Sequence, residues 1–347
     1  MKNITILSLM QVFLIMTSTN SVSGNAISPI YLTSYIISNS TEYVGEVKSR
    51  TGKLISAEIS GESSSEFVID KANKITVRKG KLKSNVSVFD IIITAKTSDG
   101  MVSERFQIVK DDFIQNKVIA HRGAWKNTGA TENSIASLRH AIDLGCQGSE
   151  FDVHMSADSL LLINHDAAIT GKSIAKSQSL ELLSIKLSNG ETMPTLENYL
   201  GAGMAQTKTK LILEIKESEL GKESSIALTR KIIALVEGLH AQAWIDYISF
   251  DYDVCKEVMR LCPYAKVAYL KGDKAPDDLS ADHFYGLDYH FTVIQKHPDW
   301  VKDAHDRNLT VNVWTVNDKS VLEDMLKQQV DFITTNEPEM LLDLVKK

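Results

Sequence analysis

From Asp112 to the C-terminus, eight apolar strand-like runs alternate with amphipathic helical stretches. Before Asp112, short β-branched runs follow one another with turn residues between them and no helical period. Together these textures predict an α/β chain: a (β/α)8 TIM barrel over 112–347, preceded by a small all-β sandwich over 26–111. Length agrees, because such barrels typically take about 250 residues.

The chain opens on MKNITILSLMQVFLIMTSTNSVSGNA, with one lysine, an apolar stretch from Ile4 to about Met16 and a small polar run. This pattern predicts a cleavable signal peptide over 1–25, and therefore an exported protein, periplasmic or extracellular. The stretch is too short to span a bilayer, and no cysteine follows it to take a lipid, so no transmembrane anchor is expected. In the sandwich segment, FVIDKANKITV, VSVFDIIITAKTSDG and MVSERFQIV alternate with period two and are cut by Asn-Lys and Ser-Asp-Gly turns. The segment loosely resembles the cadherin-like and immunoglobulin-like modules of bacterial surface proteins. It is read as a spacer or docking module, with an envelope protein or glycan as the partner to look for.

The barrel strands are KVIAH, GSEFDV, LILEIK, DYISFD, AKVAYL, FYGLDY, TVNVWTV and DFITTN, and LLLIN is the return arm of a hairpin after GSEFDV. Helical patterns between them include NSIASLRHAIDLG, ESSIALTRKIIALVEGL, DVCKEVMRLC, DWVKDAHDRN and SVLEDMLKQQ. An open doubly wound sheet would want a Gly-rich phosphate loop after its first strand, and AHRGAWKN is not one. Three cysteines, Cys146, Cys255 and Cys262, make an odd and sparse set. The last two lie on one helical pattern about 10 Å apart, too far for a bridge, so free buried thiols are expected.

Net charge is −6 with the acidic residues spread along the chain, which leaves no electrostatic footprint for nucleic acid. A phosphate-bearing substrate would therefore need a local cationic site. In TIM barrels, catalytic groups stand at the C-terminal ends of the strands, where His121, Arg122, Glu150, Asp152, Glu214, Lys216, Phe250 and Trp314 all fall. Glu150 and Asp152 are two apart on a strand and so face one side, a pair of hard oxygen ligands suited to calcium or magnesium. Glu214 and Lys216 repeat that spacing and would add a third carboxylate and an ammonium. A hairpin centred on Asp158-Ser159 would set His165 opposite Glu150, placing a proton-transfer group beside the metal site.

The run HRGAWKNTGATENSIASLRHAIDLGCQGSEFDVHMSADSLLLINHD resembles the signature of glycerophosphodiester phosphodiesterases. Its parts are HRG, an E-N pair opening a helix, E-x-D and a closing H-D. The likeness continues through PTLENYL, LEIK, ISFD, VNVWTVND and DFITTNEP, from Asn116 to the C-terminus. The resemblance implies a barrel of the PLC-like phosphodiesterase type that hydrolyses glycerophosphodiesters to sn-glycerol 3-phosphate and an alcohol. It implies His121 and His165 as the acid-base pair, and Glu150, Asp152 and Glu214 as ligands of one divalent ion. Arg122 and Lys216 would then contact the phosphate, with Trp314 lining the substrate cleft. It also suggests the glycerol 2-hydroxyl as internal nucleophile, through a cyclic phosphate. Calcium is slightly favoured over magnesium, since extracellular sites work at weak affinity.

Departures from the family pattern are ATENS for P-E-N-T, Asp158-Ser159 for Asp-Gly, and Asn336 where Asp is usual; none falls on a catalytic or metal position. Two rival readings are a related phosphodiesterase acting on lysophospholipids or other phospholipids, and a noncatalytic envelope binding protein. The first would need an exposed apolar rim, for which only Trp125, Phe291 and Trp300 offer themselves. The second would be favoured by a missing histidine or carboxylate, and all five are present.

Overall fold

The structure, a computed structural model, describes residues 27–346, so the expected signal peptide lies outside the described residues. Eight strands build the N-terminal region: β1 (Ile30–Leu32), β2 (Ile36–Ile37), β3 (Tyr43–Ser49), β4 (Leu54–Ser60), β5 (Phe67–Ile69), β6 (Lys74–Val77), β7 (Val88–Thr97) and β8 (Gly100–Lys110). They form two four-stranded sheets, in the orders β1-β3-β6-β5 and β2-β8-β7-β4. Strand β7 shows why they face each other: Phe89, Ile91, Ile93 and Ala95 are buried while the residues between them are not. Phe67 of one sheet meets Phe89 of the other edge to face, with ring centroids 5.6 Å apart.

After it come β9 (Val118–Ala120), β10 (Gly148–Met155), β11 (Leu161–Ile163), the small hairpin β12 (Ala168–Ile169) and β13 (Lys172–Ser173), then β14 (Lys210–Ile215), β15 (Ile245–Ser249), β16 (Val267–Tyr269), β17 (Gly286–His290), β18 (Thr310–Trp314) and β19 (Phe332–Thr335). Strands β9, β10 and β14–β19 are all parallel, and β9 pairs with both β10 and β19, which closes the ring. All eight runs expected from the sequence are barrel strands. β11 lies outside the ring, antiparallel to β10.

Inside the barrel, alternate residues of each strand point to the axis, so every strand contributes both a floor residue and a mouth residue. Two glycines make room for that packing. A Cβ on Gly286 would come 2.2 Å from Thr310 Oγ1, and one on Gly148 would come 2.7 Å from Ile119 Cδ1. The sandwich docks beside the N-terminal ends of the strands. Arg50 reaches across to Glu237, on the helix Lys222–Gly238, with Nη2 2.5 Å from Oε1, and its Nε donates to the Leu261 carbonyl at 2.8 Å. Tyr264 OH donates to the same Glu237 oxygen at 2.8 Å.

Between sandwich and barrel lies a cavity of about 910 Å³, lined by Ile36, Asp111 and Phe113 on one side and by Lys210, Asp246, Lys266 and Thr310 on the other. The three cysteines are free and buried, as expected. No helix among the described residues is long and apolar enough to cross a membrane.

Candidate active site

At the C-terminal mouth the strands deliver His121, Arg122, Glu150, His165, Glu214, Phe250 and Trp314 to one cleft of about 470 Å³. Asp152 and Lys216 adjoin it, each two residues further along the chain than a cleft carboxylate, Glu150 and Glu214. The carboxylates converge because β10 and β14 run parallel in a register that pairs Asp152 with Glu214. One oxygen from each of Glu150, Asp152 and Glu214 lies within 4.8 Å of the others, and all three residues are buried.

Three acids that close cannot all stay ionised cheaply. Burial and the charges of Asp152 and Glu214 push Glu150 well above the ordinary carboxylate range, and burial with Asp152 raises Glu214 to about 8. Burial also works to raise Asp152, but Lys216, His165, the Asn133 amide and Arg122 outweigh it and hold Asp152 low. Lys216 sits between two of the acids, its Nζ 3.2 Å from Asp152 Oδ1 and 2.8 Å from Glu214 Oε1. The residue expected to meet phosphate thus neutralises carboxylates in the structure. Even so, Glu150 Oε1 and Asp152 Oδ1 have no hydrogen-bond partner among the described residues.

The HRG turn explains its own residues. Arg122 and Gly123 are both left-handed, with φ of 58° and 79°, and a Cβ on Gly123 would lie 2.4 Å from Ser137 Oγ. This tight turn aims the Arg122 N–H at Glu150 Oε2, 2.9 Å away, and sends the guanidinium to Glu132, whose two oxygens each accept from Nη1 at 3.0 Å. Asn133, at φ 58°, donates from Nδ2 to Asp152 Oδ2 at 2.8 Å and accepts from the Asp152 N–H at 3.2 Å. The E-N pair, noted in the sequence only as opening a helix, is what fixes Arg122 and Asp152. Ser134 then starts the helix Ile135–Leu144 through a reciprocal bond with Ser137.

Two expectations need correction. The β10–β11 ladder pairs Val153 with Ile163 and stops there. Asn164 N–H still donates to the Asp152 carbonyl at 3.1 Å. That register would continue to set His165 opposite Phe151, not Glu150, because the paired residues are symmetric about Asp158. His165 reaches the cleft from the loop after β11, with Nδ1 2.7 Å from Asp166 Oδ1. The second concerns Asn336, which does touch a candidate catalytic residue: its Oδ1 is 2.7 Å from His121 Nδ1. On the other side, His121 Nε2 is 4.0 Å from Glu150 Oε2. Burial, and then Arg122, lower His121 to about 4, so its ring is neutral near pH 7.

Phe250 and Trp314 form the apolar wall, edge to face with centroids 5.4 Å apart, and Trp314 Nε1–H donates to the Asp288 carbonyl at 2.8 Å. The sequence reading missed Asp288, a cleft residue carried by β17. A single acid in LDY gives no spacing signal, and only the inward phase of β17 could have flagged it.

The sequence profile described as the glycerophosphoryl diester phosphodiesterase family matches residues 121–340. The chain belongs to that family. A glycerophosphodiester phosphodiesterase of Caldanaerobacter subterraneus is 30% identical over 251 residues, which is 67% of this chain and 99% of the relative. A solved glycerophosphodiester phosphodiesterase of Parabacteroides distasonis is 44% identical, with a TM-score of 0.65, and the match covers 67% of this chain and 98% of that one. A phosphodiesterase of Oleispira antarctica, solved with the product sn-glycerol 3-phosphate, matches at 25% identity and a TM-score of 0.56, over 67% of this chain and 97% of that one. Membership of the family makes the chain an enzyme of the phosphodiesterase class. The family match begins at His121, so the sandwich lies outside it.

Proposed function

We propose that the chain hydrolyses glycerophosphodiesters to sn-glycerol 3-phosphate and an alcohol, outside the cytoplasm, with one divalent ion held by Glu150, Asp152 and Glu214. The observation that carries this reading is the convergence of these three buried carboxylates beside two histidines at the barrel mouth of a chain in this family. Two unpartnered carboxylate oxygens in a hard oxygen set fit calcium or magnesium, and the expected export favours calcium. The chemistry supplied there is neutralisation of the diester's charge and polarisation of a nonbridging oxygen.

Asn336 Oδ1 accepts from His121 Nδ1–H, which leaves the Nε2 lone pair turned to the cleft as a base. His121 takes the proton of the glycerol 2-hydroxyl as that oxygen attacks phosphorus. His165, whose Nδ1–H is held by the Asp166 carboxylate, gives a proton to the leaving alcohol oxygen as the P–O bond breaks. Water opens the cyclic phosphate with the two roles reversed. Arg122, oriented by Glu132, supplies planar donors for the phosphate. Against a lipid-cleaving role, Trp125, Phe291 and Trp300 are all half-buried, and none of them is a freely exposed apolar side chain. Release of glycerol phosphate from a panel of glycerophosphodiesters and lysolipids, each with calcium or magnesium, tests the reading. Turnover of the lysolipids alone would overturn it.

A further inference from the structure

Asp288 is a costly residue where it stands. It is 2% exposed, in a layer of the barrel otherwise supplied by Ile248 and Leu270, and burial raises it to about 7. An acid at such a position costs several kcal/mol unless something compensates it. The fold compensates little. Oδ1 has no hydrogen-bond partner among the described residues. The neighbour across the β17–β18 register is Asn312, which gives one amide N–H to Thr334 Oγ1 at 3.0 Å and, as the one side chain that favours the ionised acid, only partly offsets its burial. The floor of the cleft therefore presents an unpartnered carboxylate oxygen, Asp288 Oδ1. Apart from Glu150 Oε1 and Asp152 Oδ1, which belong to the candidate metal site, no other unpartnered buried carboxylate oxygen lines the cleft among the described residues. A ligand group that satisfies Asp288 Oδ1 must donate a hydrogen bond.

We propose that Asp288 is the specificity residue for the glycerol half of the substrate, its carboxylate accepting a hydrogen bond from the terminal hydroxyl. The inference rests on the function proposed above. In that reading the 2-hydroxyl is engaged at phosphorus by His121, which leaves the terminal hydroxyl, one carbon further out, as the free donor. Phe250 and Trp314 flank the carbon skeleton between the two ends. A competing explanation is a purely structural one, with water from the cavity beneath, which Asp288 also lines, satisfying the acid.

The test compares wild type, Asp288→Leu and Asp288→Asn on two diesters: glycerophosphocholine and its analogue lacking the terminal hydroxyl, which keeps the 2-hydroxyl nucleophile. A hydrogen bond to a charged acceptor predicts a preference of about tenfold to a hundredfold for glycerophosphocholine over its deoxy analogue in wild type. Asp288→Leu should erase that preference, mainly through KM, and should lose at least tenfold more on glycerophosphocholine than on the deoxy analogue. Asp288→Asn, which keeps an acceptor oxygen, should recover part of it and stands in if the leucine variant does not fold. Equal losses on both diesters, or a preference that survives in Asp288→Leu, would overturn the inference. Binding of sn-glycerol 3-phosphate against inorganic phosphate, measured by calorimetry on the same proteins, separates the two claims. If wild type hydrolyses no glycerophosphodiester, the proposed function fails. The inference still stands if only sn-glycerol 3-phosphate binds more weakly to Asp288→Leu, and falls if both anions bind it equally well as wild type.

Discussion

Both ends of the barrel carry lysines and carboxylates on neighbouring strands, and they use them in opposite ways. At the sandwich end, Lys210 Nζ is 3.2 Å from Asp246 and donates to the Ala243 carbonyl at 2.7 Å while lying 5.0 Å over the Phe113 ring. Lys266 covers the Tyr285 ring at 4.7 Å. Each cation there is spoken for, and the group is closed. At the mouth, Lys216 is shared between two acids of a set of three, and two carboxylate oxygens and Arg122 Nε remain unpartnered. Burial depresses Lys210, whereas Asp152 and Glu214 overcome burial and raise Lys216. A buried charge cluster marks a site when its carboxylates do not close: the open groups beside Lys210 and Asp246 are neutral, Gln242 Oε1 and the Tyr247 hydroxyl, whereas those at the mouth are carboxylate oxygens.

The sharpest way to break this comparison is to remove the two histidines proposed as proton carriers at the mouth. His121→Ala and His165→Ala should each lower kcat on glycerophosphocholine by about a thousandfold, within the usual range for acid-base groups. Their melting temperatures should stay within a few degrees of wild type. Near-normal turnover in either variant would remove the histidines from the mechanism. A paired lysine test follows. Lys216→Met should reduce kcat/KM by about a hundredfold, because the mouth loses a cation that the anionic diester needs. Lys210→Met should instead cost about 2 kcal/mol of stability, less than a fully buried pair because Asp246 keeps some exposure, and leave kcat and KM intact. Thermal melts and steady-state kinetics on both variants read the contrast, and equal activity losses would erase it. The smallest effect lies in the hairpin that delivers His165. Ser159 is held at φ 67°, a left-handed conformation that glycine adopts freely, so Ser159→Gly should stabilise the protein by about 1 kcal/mol in a denaturant titration.

How far the sequence carries depends on whether a feature is periodic. Strand and helix periods sufficed for both layers of the molecule and for the carboxylates, because the two-residue spacings of Glu150 with Asp152 and Glu214 with Lys216 already imply shared faces. What escaped were contacts made across the ring. Asn336 meets His121 only because β19 closes on β9, and nothing local links residues that far apart in the chain. Glu132 and Asn133 act through a turn whose left-handed residues have no signature beyond the glycine of HRG. The misplaced partner of His165 came from the placing of the turn centre: the ladder is symmetric about Asp158, and one residue of register shifts every pairing. Asp288 escaped because its meaning lies in the partners it lacks.

The central claim is that the open cluster at the mouth, and not the closed one at the sandwich end, holds a divalent ion. Calorimetric titration of the chelator-treated protein with calcium tests it most directly, alongside Glu214→Gln at the mouth and Asp246→Asn at the far end. The account predicts one ion per chain, binding lost in Glu214→Gln and unchanged in Asp246→Asn. Undiminished binding in Glu214→Gln, or no binding of calcium or magnesium by the wild-type chain, would contradict it.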